Sequence, residues 1–96
     1  MLATLVITLI GTSVGFVIPP LLAEDLQLEV GDRILVTTKE IIREGKPDPI
    51  ELHLRGKVIR SGGKHGSFII EKAIATHLRL EKGHLLNADI IKEHRE

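Results

Sequence analysis

Cysteine, tryptophan and tyrosine are absent from these 96 residues, and phenylalanine occurs only twice. Without cysteine there can be no disulfide, no thiolate nucleophile and no cysteine-built zinc site. So few aromatics also leave no stacking platform for single-stranded bases. An excess of either charge is missing too, since 13 Lys+Arg offset 13 Asp+Glu. That balance excludes a histone-like polycation, and a hydrophobic content of 43% excludes a disordered chain. A chain of this length buries roughly 60–65% of its unfolded surface, enough for one modest core.

The neutral total hides a division. Residues 1–48 hold four Lys+Arg against seven Asp+Glu, whereas residues 49–96 hold nine against six and all five histidines. A neutral protein can therefore still present one basic face.

Met1 to Ala23 contains no charged residue, longer than the ~18 that mark a membrane candidate. It lacks a basic leader region, and Gly11, Thr12, Ser13, Gly15 and Pro19-Pro20 interrupt it. It also has a charged counterpart. Shifted by 52 residues, the stretch from Val6 to Val36 lies without gaps on Val58 to Ala88. Identities include Val6/Val58, Gly11/Gly63, Phe16/Phe68, Ala23/Ala75, Leu26/Leu78, Leu28/Leu80, Glu29/Glu81 and Gly31/Gly83. The second copy holds Lys57, Arg60, Lys64, His65, Glu71 and Lys72, which no membrane span tolerates. The chain reads as a tandem duplication, with no membrane partner and a cytoplasmic location expected.

Each unit reads as strand, glycine turn, strand, short helix, strand. Residues 4–10 are rich in Val, Ile and Thr, and Val58-Ile59-Arg60 hold the equivalent place. Phe16-Val17-Ile18 and Phe68-Ile69-Ile70 are short apolar strands, expected to be buried. Leu22/Leu26 and Ile74/Leu78 at helical spacing, with Pro20 in the first turn, predict the two helices. Third strands follow over Arg33–Thr38 and Leu85–Ile91. Between the units, residues 39–55 read as a hairpin turning at Gly45-Lys46-Pro47-Asp48-Pro49. The expectation is one mainly β domain over 1–96. Repeat one covers about 4–38, the hairpin 39–55 and repeat two about 56–91. Six strands and two short helices would close a barrel around a pseudo-twofold axis.

Gly11, Ser13, Gly15, Ile18, Pro19, Leu26, Leu28, Gly31 and Asp32 together carry a family resemblance. The stretch resembles the SpoVT/AbrB and MazE-like unit, roughly G-N-S-x-G-x-x-I-P-K followed by L-x-L-x-x-G-D. Thr12 stands for the usual Asn and Pro20 for the usual Lys; the second unit keeps Gly63, Ile70, Lys72, Leu78, Leu80 and Gly83. The resemblance implies a cradle-loop barrel of swapped-hairpin, double-psi or RIFT type. It further implies a transcription regulator that binds double-stranded DNA through basic residues of the first strand and its following loop. Carried over by position, these are Lys57, Arg60, Lys64, His65 and Lys72, with Thr12 and Ser13 as the uncharged counterparts in unit one. Unit one has no Lys or Arg before Arg33. The same charges also fit the solvated rim of a barrel.

Other motifs carry less. Gly11-Thr12-Ser13-Val14-Gly15 spells a nucleophile elbow, but between two strands and without the large α/β sheet an elbow needs. No enzyme is expected. Ser61 to Ser67 is glycine-rich but lacks phosphate-loop spacing. His53, His65, His77, His84 and His94 show no ligand spacing, so neither a metal nor a cofactor is expected. Two alternatives to DNA binding stand: an interaction or homodimerisation barrel, and a RIFT-like barrel for a small ligand.

Overall fold

The computed structural model describes residues 1–60 and 66–93. They form a mainly β chain of seven strands and two short helices. The strands are β1 (Leu2–Val6), β2 (Thr8–Ile10), β3 (Ser13–Val17), β4 (Arg33–Arg43), β5 (Lys46–Lys57), β6 (Ser67–Ile69) and β7 (Leu85–Glu93). Helices α1 (Pro20–Leu26) and α2 (Lys72–His77) follow β3 and β6. One sheet runs β1-β7-β4-β5 and the other β2-β3-β6, all antiparallel. The radius of gyration, 12.4 Å, is the ~12.5 Å of a folded chain this long. No helix among the described residues is long and apolar enough to cross a membrane.

Six strands in a closed barrel were expected; the structure has seven in two sheets, and no continuous hydrogen-bonded ring closes among the described residues. The extra strand comes from the stretch 4–10, which changes sheet at Ile7. Ile7 still bonds the first sheet through its N–H to His84 (2.8 Å), whereas Thr8 pairs with Gly15 in the second. Its side chain is fully buried where the sheets meet. The central hairpin also differs. Its turn is Glu44-Gly45, with φ of +51° and +76°, the two positive values of a type I′ turn. Pro47 and Pro49 lie inside β5 instead of in the turn. They are tolerated because β5 is an edge strand and their nitrogens face away from β4.

The core gathers the alternating inward residues of both sheets. Leu5, Ile7, Phe16, Ile18, Ile34, Val36, Ile41, Val58, Phe68, Ile70, Leu86 and Ile90 are all essentially inaccessible. Phe16 pairs in register with Phe68, and their rings stack with centroids 5.2 Å apart. The β3–β6 pair is so close that a Cβ on Gly15 would lie 2.2 Å from the Phe68 carbonyl oxygen. Only glycine fits there.

Backbone hydrogen bonds recur at the 52-residue offset. Ile18 N–H donates to Gly66 O at 3.1 Å, and Ile70 N–H to Val14 O at 2.9 Å. After the helices, Leu28 N–H donates to Ala23 O at 2.8 Å and Leu80 N–H to Ala75 O at 3.0 Å. Gln27 and Arg79 both leave the helix in the left-handed region, at φ +53° and +52°. Residues paired with their own counterparts, Phe16 with Phe68 and Thr37 with Asp89, lie where a twofold axis would pass.

Candidate nucleic-acid interface

One side of β5 is an exposed, largely polar stretch. Successive side chains of a strand point to opposite faces of the sheet. Here the even residues from Ile50 to Gly56 lie towards the core, and Pro47, Pro49, Glu51, His53, Arg55 and Lys57 are exposed. The cationic end of this row is its last five residues, His53 to Lys57; Arg60, also exposed, follows the Ile59–Ser67 bridge by which the chain passes to the second sheet. In register, Arg33 of β4 stands opposite Lys57, Leu35 opposite Arg55 and Thr37 opposite His53. The Thr37 hydroxyl lies 3.1 Å from His53 Nδ1. Glu93 of β7 faces Arg33 from the other side, and its carboxylate lies 3.8 Å from Arg55 Nε. The strip therefore carries three guanidinium or ammonium groups (Arg33, Arg55, Lys57) beside the Glu93 carboxylate, with Glu51 two residues before His53.

The seven residues singled out in the sequence do not form one surface. Lys57 belongs to the strip, and Arg60 is exposed three residues beyond it. Thr12, Ser13 and Lys72 instead line a cleft of about 710 Å³ between the β2–β3 turn and α2. Thr12 and Lys72 are exposed and Ser13 half-buried. Gly11 and Thr12 form that turn, with a positive φ at glycine only (+63°), as in a type II′ hairpin. Arg79 and Lys72 line the cleft together with Glu71 and Glu81, so its lining is balanced in charge. Lys64 and His65 lie outside the described residues.

Arg33 and Arg55 went unnoticed in the sequence. Arg55 was legible as part of the polar alternation Glu51, His53, Arg55. Arg33 was not, because its place beside Lys57 depends on the β4–β5 register across 24 residues of chain.

Two further cations are structural. Arg43 of β4 donates through Nη2 to Leu78 O and through Nη1 to Arg79 O (3.3 Å), past the end of α2. Lys92 of β7 donates to Gln27 O at 2.9 Å, past the end of α1, and lies 3.3 Å from Asp32 Oδ2. Cations at helix C-termini satisfy carbonyls that the helix cannot. Among the described residues no group of three or more His, Asp or Glu could hold a metal ion.

No protein-family model, curated protein or solved structure matches this chain, so the likeness to the AbrB-like unit rests on the residues quoted for it.

Proposed function

We propose that the chain is a DNA-binding transcription regulator of the AbrB-like kind, contacting phosphates through the β5 strip, and that its fold is a two-repeat relative of the cradle-loop barrels. The recurrent hydrogen bonds at the 52-residue offset support the second part. The observation that carries the first is the strip itself: Arg55 and Lys57 exposed on one side of β5, with Arg33 in register beside Lys57 and Arg60 exposed three residues further along the chain. Arginine and lysine on an exposed strand reach phosphate oxygens without reading base edges, which gives affinity and orientation before specificity. Thr12 and Ser13 can add neutral donors, but their cleft has no excess of positive charge.

With Arg60 joining Arg33, Arg55 and Lys57 on the duplex, four cations less one carboxylate neutralise about three phosphates, a salt slope near −2.7 and about a forty-fold loss of affinity from about 50 to about 200 mM salt. Fluorescence anisotropy with a duplex at several salt concentrations measures it. Arg55→Ala and Lys57→Ala should each lower the slope by about one and weaken unrelated sequences alike. Glu93→Gln should raise affinity, since it unmasks Arg33 and Arg55. An Arg55→Ala, Lys57→Ala, Arg60→Ala protein that binds as the parent does, or a parent that binds no duplex at low salt, would overturn the reading.

A further inference from the structure

β1 and β5 are the two outer strands of the same sheet. Their last inward residues make matching bonds. Ile7 N–H donates to His84 O and Gly83 N–H to Ile7 O; Val58 N–H donates to Asp32 O and Gly31 N–H to Val58 O. At this point the repeat is offset by 51, so Leu2, Thr4 and Val6 stand where His53, Arg55 and Lys57 stand.

Met1, Ala3, Leu5 and Ile7 turn their backbone groups to β7, as the bonds Ile90 N–H to Met1 O (2.8 Å) and Ile7 N–H to His84 O (2.8 Å) require. The N–H and C=O groups of Leu2, Thr4 and Val6 therefore point off the edge of the sheet. Their side chains are exposed as well, Leu2 by 75% and Val6 by 56%. An open edge templates another strand unless charge, proline or a bulge guards it. β5 has Pro47, Pro49 and its cations. β1 has none of these.

We propose that β1 is where a second copy of this chain docks, strand to strand and antiparallel, with the twofold axis at Thr4. In that register Leu2 faces the partner's Val6 and Thr4 faces the partner's Thr4, with about six backbone hydrogen bonds. Charge selects this occupant. No residue of β1 is ionised in its side chain, so self-pairing sets no like charges together and strands no counter-charge. The neighbouring ammonium, at Met1, is paired with Asp89 at 2.6 Å, which leaves little for a polyanion. The β5 edge of a second copy would bring Arg55 and Lys57 against Leu2 and Val6. Apolar contacts between Leu2 and Val6 are cross-strand interactions that stabilise a sheet, and the two Thr4 side chains, whose hydroxyls already donate to Asn87 Oδ1 at 2.6 Å, pack through their methyl groups. One strand pair is a small interface, below about 1,200 Å², so the dimer is a weak one. The inference rests on β1 alone and stands apart from DNA binding.

Sedimentation velocity from about 10 μM to about 1 mM spans the affinities such an interface reaches. The parent should shift from monomer to dimer, while amide hydrogen exchange at Leu2, Thr4 and Val6 slows with concentration. Thr4→Lys sets two ammonium groups face to face on the axis and should leave a monomer, as should Thr4→Glu. Mixed one to one, the two variants should restore a heterodimer, a result that misfolding of either would not give. A parent that stays monomeric at about 1 mM, a Thr4→Lys protein that still dimerises, or a dimer whose β1 amides exchange as in the monomer would each overturn the proposal.

Discussion

β1 and β5 flank the same sheet at equivalent places, yet one exposes Leu2, Thr4 and Val6 and the other His53, Arg55 and Lys57. Inside the sheet the halves agree closely. Leu28 and Leu80 are buried to 8% and 7% exposure, Ala23 and Ala75 to 3% and 5%, and Ile18 and Ile70 to 0% and 2%. Burial holds these positions to one kind of side chain in both copies, because every methylene lost or added is felt in a packed interior. The edges carry no such constraint, so they are where two copies of one unit can take different tasks. The contrast between a cationic edge and an aliphatic one is therefore a difference in surface chemistry laid over a shared frame.

The largest test of that frame is the stacked pair at its centre. Phe16→Ala and Phe68→Ala should each cost about 3–5 kcal/mol in urea unfolding, a large share of a small domain's stability. Phe68 should cost the more of the two. Its ring also fills the space beside Gly56, where an added Cβ would lie 2.9 Å from Cε2. Equal losses would mean that the two halves are bound more symmetrically than the Gly56 contact implies.

Next in size comes the pair Gly15 and Ser67, equivalent at the 52-residue offset but different in kind. Gly15→Ser places a Cβ against the Phe68 carbonyl and should cost about 3 kcal/mol, the upper end of overpacking. Ser67 is fully buried with a Cβ already in place. Ser67→Gly should cost about 1 kcal/mol, mainly through the freer unfolded chain and the lost side chain. Chemical denaturation of both variants decides it. A Gly15→Ser protein as stable as Ser67→Gly would show that β3 and β6 can move apart freely.

Much of the frame was legible because burial leaves a pattern. Phe16, Phe68, Leu28 and Leu80 announced themselves by recurring at a fixed offset; α1 fell where Pro20 and Leu22/Leu26 placed it, and α2 where Ile74/Leu78 did. What sequence did not reveal depends on which strand lies beside which. Lys46-Pro47-Asp48-Pro49 has turn composition, yet it continues β5 because an edge strand leaves proline's missing N–H without consequence. The change of sheet at Ile7 leaves no mark in a run of Val, Ile and Thr that suits either sheet. The site suffered in the same way. Lys57 and Arg60 were visible as charges, but Arg33 joined them only through the β4–β5 register, and Lys72 parted from them because α2 carries it to the cleft with Thr12 and Ser13.

The smallest effects lie where the halves solve one problem with different residues. Both helices end with carbonyls that a sheet cation satisfies, Arg43 for α2 and Lys92 for α1. Arg43 is half-buried and serves two carbonyl oxygens through a planar group that cannot lose its charge. Lys92 serves one, and Asp32 beside it also accepts from Glu29 N–H at 2.8 Å, so its loss leaves less unmet. Methionine keeps most of the apolar stem of either side chain and removes only the donors. Arg43→Met should therefore cost about 2 kcal/mol, as expected for a charged group that bonds two carbonyls, one of them part-buried, and Lys92→Met about 0.5 kcal/mol. Amide exchange locates each loss: Arg43→Met should speed exchange at Leu78 and Leu80 after α2 and leave Gln27 and Leu28 unchanged, with Lys92→Met doing the reverse more weakly. If both variants loosened both helices equally, the two ends would be coupled through the sheet, and the division of labour between Arg43 and Lys92 would fail.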